Sequence, residues 1–274
     1  MFRTLLVALF LALCGGGGAA AETIDDLTAE VPSIPGKTWV DLLKSVFSNI
    51  DASGGTATAK ELIDLRSIGA GNGSWIGCDD GVRIGHIDAA RVQIAGRDRI
   101  IVAFVPPDDC VGLLALFAAE DGGKLLDAVN VKGDQHVSFP GYYIRPLGPS
   151  GVLAIASSWH DNSNQSYDID TLVLAGADGF TAIGDVFAFG DRTCRERMTQ
   201  SLSLRAVPDG APMARIVAEV KRSIEKLAED CETKKGRPSV TTYSGYWRWN
   251  AAKRAYEAHT KELDQLAAWN AKRF

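Results

Sequence analysis

The chain has 274 residues, 46% of them hydrophobic, which allows a sizeable buried core and excludes a disordered polymer. Acidic residues number 34 and basic ones 29, a formal charge of −5. That balance argues against nucleic acid or an anionic membrane as partner, since both reward basic stripes.

The first 21 residues have the layout of a secretory signal peptide. A basic start, Met1-Phe2-Arg3, leads into the apolar run Thr4 to Cys14, then glycines and Ala19-Ala20-Ala21 before Glu22. The apolar run is shorter than the roughly 20 residues a membrane span requires, and charges interrupt every later run, so no membrane span is expected. A lipoprotein acylated at Cys14 is disfavoured, because Leu13 stands where a small residue is needed. The expectation is a periplasmic or secreted protein, cleaved after residue 21, whose residues 22–274 form a single mature domain.

Residues 22–36 carry two prolines and no periodicity and read as a mobile arm. Thr38 can cap a helix with Asp41 in its first turn, and Leu42, Leu43, Val46, Phe47 and Ile50 follow as one helical stripe. Ala57 to Ile68 fits both helix and strand. Gly69 to Ser74 is a glycine-rich loop. It has neither a dinucleotide fingerprint nor a phosphate-loop ending, and no cofactor is expected.

From Trp75 the pattern is strand and turn. Arg91 to Ala95 and Ile100 to Val105 flank a turn at Gly96-Arg97-Asp98; Pro106-Pro107 ends the second run, because proline cannot donate to a ladder. Val111 to Phe117 and Leu125 to Val131 flank Asp121-Gly122-Gly123. A similar unit recurs downstream: Asp121-Gly122 matches Asp178-Gly179 and Gly133-Asp134 matches Gly190-Asp191, which suggests two similar hairpins, or less well a short propeller. Gln200 to Val207 alternates as a strand before the turn Pro208-Asp209-Gly210. Ala214 to Leu227 satisfies both periods, with a strand preferred at its start. Tyr243 to Trp249 reads as a strand, and Tyr256, Leu263, Leu266 and Ala267 as the stripe of a C-terminal helix, with Glu257 four residues before Lys261. The fold class expected is α+β, an antiparallel β-sheet (sandwich- or meander-like) flanked by N-terminal and C-terminal helices.

Outside the leader the cysteines are Cys78, Cys110, Cys194 and Cys231. An even number in an exported chain reads as disulfides. Gly96 lies about midway between the first two and Pro208 near the middle of the second two, and hairpins bring residues equidistant from a turn together. The pairs expected are therefore Cys78–Cys110 and Cys194–Cys231. No Cys-x-x-Cys or paired-histidine spacing occurs, and no metal is expected.

The densest group of hydrogen-bonding side chains runs from Ser157 to Tyr167 between two apolar strands. Its candidate binding residues are Trp159, His160, Asp161, Asn162, Asn164 and Tyr167. The alternative is a polar connector closed by Asx turns. His160, oriented by Asp161 or Asp168, with Ser157 or Ser158 as nucleophile, would make a hydrolase. Asp161, Asn162, Asn164, Asp168 and Asp170 would offer oxygens to calcium, although the spacing is not that of the glycine-containing calcium loop. His86, His136 and His259 read as ordinary packed or surface residues, and no nucleophile elbow is present. Tyr142, Tyr143, Tyr243, Tyr246, Trp247 and Trp249 form two aromatic clusters, suited to core packing or to a sugar or protein partner. The function expected is that of a non-catalytic binding or structural protein with a protein or polysaccharide partner; a periplasmic hydrolase and a calcium-stabilised module are the rivals.

Overall fold

A computed structural model describes residues 21–69 and 81–273. Residues 1–20, where the leader is expected, the glycine-rich loop beyond Gly69 and Cys78 lie outside these. The elements, in chain order, are β1 (Glu22–Ile24), α1 (Trp39–Leu43), β2 (Phe47–Ser48), β3 (Asp51–Ser53), β4 (Thr56–Ala59), β5 (Glu61–Leu62) and β6 (Arg66–Ser67). Then come β7 (Val82–Ile84), β8 (Ile87–Ile94), β9 (Arg97–Phe104), β10 (Leu113–Ala118), β11 (Lys124–Asn130), β12 (His136–Ser138), β13 (Ile144–Gly148) and β14 (Gly151–Asp161). The last are β15 (Gln165–Ala175), β16 (Phe180–Arg192), β17 (Glu196–Val207), β18 (Arg215–Leu227), β19 (Lys234–Asn250), β20 (Ala255–His259) and α2 (Lys261–Asn270). Strand accounts for 58% and helix for 7%, so the helices are trim on a sheet protein rather than a layer of an α+β one.

Two large sheets carry the fold. One runs β1-β8-β9-β10-β11-β6 and the other β12-β14-β15-β16-β17-β18-β19-β20, with β13 also on β14. All pairings are antiparallel except the short β11–β6 contact. The central strands of the first sheet are buried on both faces, which is why they read as unbroken apolar runs. Ile100, Val102 and Phe104 point into one core and Ile101 and Ala103 into the next; Leu113, Ala115 and Phe117 alternate likewise with Leu114 and Leu116. The middle core lies between the sheets, where these residues meet Val152, Ala154, Ala156 and Val173.

The outer core of the first sheet is covered by the N-terminal segment. Residues 22–36, expected as a mobile arm, are instead pinned. β1 pairs with β8, and Leu27, Val31 and Ile34 are buried beside Trp39, Leu42 and Leu43. Their spacing follows turns rather than a helix or strand, so no periodicity announced them. Thr38 closes a capping box with Asp41: its Oγ1 accepts from the Asp41 N–H at 3.3 Å, and the Asp41 carboxylate accepts from the Thr38 N–H at 3.1 Å. The helix ends at Leu43, because Phe47 pairs with Leu62 in a small separate sheet. The ambiguous 57–68 stretch is strand in short pieces.

The second sheet folds back on itself. β16 and β17 share only the pairs Asp191↔Met198 and Arg192↔Arg197 and then part, although each is about a dozen residues long. The half made of β17–β20 crosses the half made of β13–β16, bringing β13 to β17 and β20 to β16. Gly184 of β16 allows that approach. A Cβ there would lie 2.8 Å from the indole nitrogen of Trp247, which is buried on β19. Leu263 and Leu266 of α2 close this third core with Leu153, Ile155 and Leu172. Ala214 to Leu227, satisfied by either period, is strand along its length from Arg215. Tyr256 and Glu257, expected on the last helix, belong to β20, and Glu257 pairs with Lys253 at 2.8 Å rather than with Lys261.

Cys194 and Cys231 form the expected disulfide, with Cα atoms 4.2 Å apart. The β17–β18 ladder, Glu196↔Lys226 at its far end, places them together as the turn-midpoint argument required. Cys110 is also disulfide-bonded. The pairing expected for it, with Cys78, involves a residue outside the described ones.

Candidate functional site

The polar stretch after Ala156 is not a loop. β14 and β15 continue through it as a hairpin, with Ser157↔Asp170, Trp159↔Asp168, His160↔Tyr167 and Asp161↔Ser166 in register, and only residues 162–164 turn. Asn162 makes that turn by accepting from the N–H groups of Asn164 at 3.1 Å and Gln165 at 2.8 Å, an Asx closure. Its side-chain oxygen is thereby committed to the backbone.

Because successive strand residues face opposite ways, the hairpin splits the six expected site residues. Trp159 and Asp161 lie on one face with Ser157, Asp168 and Asp170; His160 and Tyr167 lie on the other. His160 and Asp161 therefore do not form an acid–base pair. The His160 Nδ1 lies 3.7 Å from the carboxylate of Asp134, and its ring stacks on Tyr167 with centroids 5.7 Å apart. Tyr167 in turn meets Phe187 at 5.4 Å. Ser158 is buried, and its Oγ accepts from the Gly133 N–H at 2.8 Å.

On the first face Trp159 stacks on His136, with centroids 5.4 Å apart. The His136 Nδ1 lies 2.8 Å from a carboxylate oxygen of Asp109, and the Lys132 ammonium donates to the Asp109 carbonyl. Two loops thus grip the hairpin end through His136 and His160. Neither Asp109 nor Asp134 was foreseen as a partner, because only the pairing of β12 with β14 brings them near.

Beyond Trp159 the same face opens into a cavity of about 240 Å³, lined by Tyr142, Ser157, Asp168, Asp170, Gln200 and Leu202 among others. The cavity exists because β16 and β17 have parted there. Ser157 donates a short hydrogen bond to Asp170. Burial raises the Asp170 carboxyl above the ordinary aspartate value, opposed by the Ser157 hydrogen bond and reinforced by Asp168. Asp168, at the rim, is also raised, by partial burial and by the charge of Asp161. Among the described residues no ion pair engages either carboxylate, and no group of three or more His, Cys, Asp or Glu side chains is arranged to hold a metal ion.

The aromatic clusters divide between packing and surface. Tyr143 and Trp247 are buried, Tyr142 is half exposed beneath Arg145, and Trp249 meets Tyr256 at 5.4 Å. No helix among the described residues is long and apolar enough to cross a membrane. No family model matches the chain, and neither a curated protein nor a solved structure does.

Proposed function

We propose that this is an exported, non-catalytic binding protein that holds an organic cation, an ammonium or guanidinium group, in the cavity of Asp168 and Asp170. One observation carries the reading: among the described residues, two carboxylates line a small cavity with no basic side chain in an ion pair with them, so their charge, when ionised, is uncompensated where solvation is reduced. A bound cation would supply the missing charge. Tyr142 lines the cavity beneath Arg145, Ser157 is bonded to Asp170, and Gln200 is held by Asn270 and the Phe189 N–H, so the two carboxylates are the groups that would hold the cation. The leader-like N-terminus and the Cys194–Cys231 bridge support an oxidising destination. Against a hydrolase centred on His160 and Asp161 stands the geometry, which sends those side chains to opposite faces and ties Ser157 to Asp170.

The test is a melting curve with 1,4-diaminobutane. At a hundredfold excess over Kd the ligand would stabilise the wild type by about 2.7 kcal/mol, or roughly 5–10 °C in a chain of this size. Asp170→Asn removes the charge and keeps an oxygen for Ser157 to donate to. Its expected signature is twofold: no response to diamine, and a higher melting temperature than wild type without ligand. The sign follows from the raised carboxyl. A group that holds its proton more tightly when folded contributes stability at low pH and loses it as pH rises through the folded value, so above that value the charged Asp170 is a cost that the amide does not carry. Diamine binding should accordingly fade in acid. Equal stabilisation of wild type and variant would refute the cation site. A larger response to calcium chloride than to diamine would favour the calcium-stabilised module.

A further inference from the structure

On the far side of the molecule the outer face of β18–β20 and the start of α2 enclose a groove of about 1030 Å³. Residues 216, 218 and 220 of β18 point into the third core, so Arg215, Val217 and Glu219 face outward into this groove. Tyr246 stands opposite Val217, and His259 opposite Tyr246, on successive strands. The three polar side chains form a stack. The Arg215 guanidinium lies 5.2 Å from the Tyr246 ring centroid, and the Tyr246 and His259 rings are 4.6 Å apart and within 15° of parallel.

The charges in the groove are unequally committed. Glu219 accepts from Arg205 at 2.6 Å, Glu262 from the Ser244 N–H at 2.9 Å and its hydroxyl at 3.3 Å, and Asp264 from the Thr260 hydroxyl at 3.2 Å. The cations are not so engaged. Among the described residues no ion pair involves Arg215 or Lys261, and the Nε of Arg215 is buried with no hydrogen-bond partner. That nitrogen is closed to solvent, so a ligand in the groove would meet the terminal nitrogens of the half-buried guanidinium. The stack on Tyr246 holds Arg215 in place, so little ordering would be needed on binding.

We propose that this groove is a second binding site, independent of the Asp168/Asp170 cavity, for a ligand bearing an oxyanion. Arg215 is its principal contact, Lys261 a second cation, and His259 and Tyr246 the ring surface beside the anion. Guanidinium groups bind both carboxylate and phosphate oxygens in a fork, so the chemistry is shared by a uronic-acid-type carboxylate and a phosphoryl group.

The experiment titrates the folded protein, at low salt, separately with inorganic phosphate and with D-glucuronate, following the His259 ring resonances and the heat of binding. Saturable binding of at least one probe is expected, weakened at least tenfold by Arg215→Gln and several-fold by Lys261→Gln. The probe that saturates tells a phosphoryl ligand from a carboxylate one. Lys261 is exposed, so its variant decides the matter should Arg215→Gln fail to fold. Absence of saturation with both probes, or titrations unaltered by the two substitutions, would overturn the site.

Discussion

Arg99 is a buried guanidinium in the first sheet, and its partners explain its presence. Its Nε donates to the Ala177 carbonyl at 2.8 Å, and its Nη1 donates to the Asp98 carbonyl at 3.0 Å and to the Glu120 carboxylate. Glu120 precedes the Asp121-Gly122 turn and Ala177 precedes Asp178-Gly179, so one side chain joins the turns of the two similar hairpins across the two sheets. Arg99 is the main cause of the lowered Glu120 carboxyl. A lowered acid contributes stability above its unfolded value, near 4.5, and loses it as pH falls through the lower folded value. Wild type should therefore be more stable than Glu120→Gln at pH 6, with the gap closing in acid. Urea midpoints measured from pH 6 to pH 3 would show it; a gap that does not change with pH would break the link to Arg99.

The residue scale is also where the sequence was hardest to read. Trp159 to Tyr167 is contiguous in sequence but divided in space, because strand geometry sends neighbours to opposite faces. Period-two alternation through Ser157, Trp159 and Asp161, matched by Asp168 and Asp170, was the available signal for the cavity. Gln200 and Tyr142, which complete it, come from strand crossings that no local pattern encodes. Arg215, Tyr246 and His259 were similarly invisible as a unit, although a stack on adjacent strands brings them within contact.

At the scale of elements, legibility followed burial and turn chemistry. The hairpin between β8 and β9 was readable but its turn was not: Gly96-Arg97-Asp98 was expected, whereas Ala95 and Gly96 make it, at φ 53° and 72°, and Arg97 and Asp98 already pair in β9. The short pieces β2 to β6 could not be read, because strands of two to four residues carry too little period. β19 shows what the sequence does at an exposed edge. It runs 17 residues but pairs with β20 only from Tyr246 onward, leaving its outer half with an open side. The Glu262 carboxylate occupies the Ser244 N–H, Pro238 has no N–H to offer, and Lys235 and Arg237 add like charge, Lys234 being paired with Glu225 at 2.6 Å. These are the means by which natural sheets discourage edge pairing. Pro238→Val restores a donor and should make the chain associate as concentration rises, more so in high salt where Lys235 and Arg237 are screened. Sedimentation velocity across a tenfold concentration range would detect it. Behaviour matching that of wild type would mean the proline does not guard the edge.

For the molecule as a whole, three cores are stacked through two sheets, and one part stands outside them. The distal ends of β17, β18 and β19 form a three-stranded ribbon whose β19 residues 234–242 are exposed on both faces. At the root of the ribbon the Trp269 ring lies between Arg222 at 4.7 Å and Arg273 at 4.9 Å, and Arg273 reaches Asp191 at 2.9 Å. Beyond that root only Met198 and Leu227 of the ribbon are buried, so its opening should be a local event with a free energy below that of global unfolding. The Cys194–Cys231 bridge ties the ribbon's outer end to the corner where the second sheet turns back. Loop closure over its separation of 37 residues is worth about 4 kcal/mol in the chain-entropy account. That contribution should fall first on the ribbon. In Cys194→Ser/Cys231→Ser, amide exchange is expected to accelerate in residues 221–227 and 234–243 while the centres of β9, β10 and β14 keep their protection. A uniform loss of protection across all three cores would show instead that the bridge acts on the fold as one cooperative unit, and the ribbon would no longer count as a separable part.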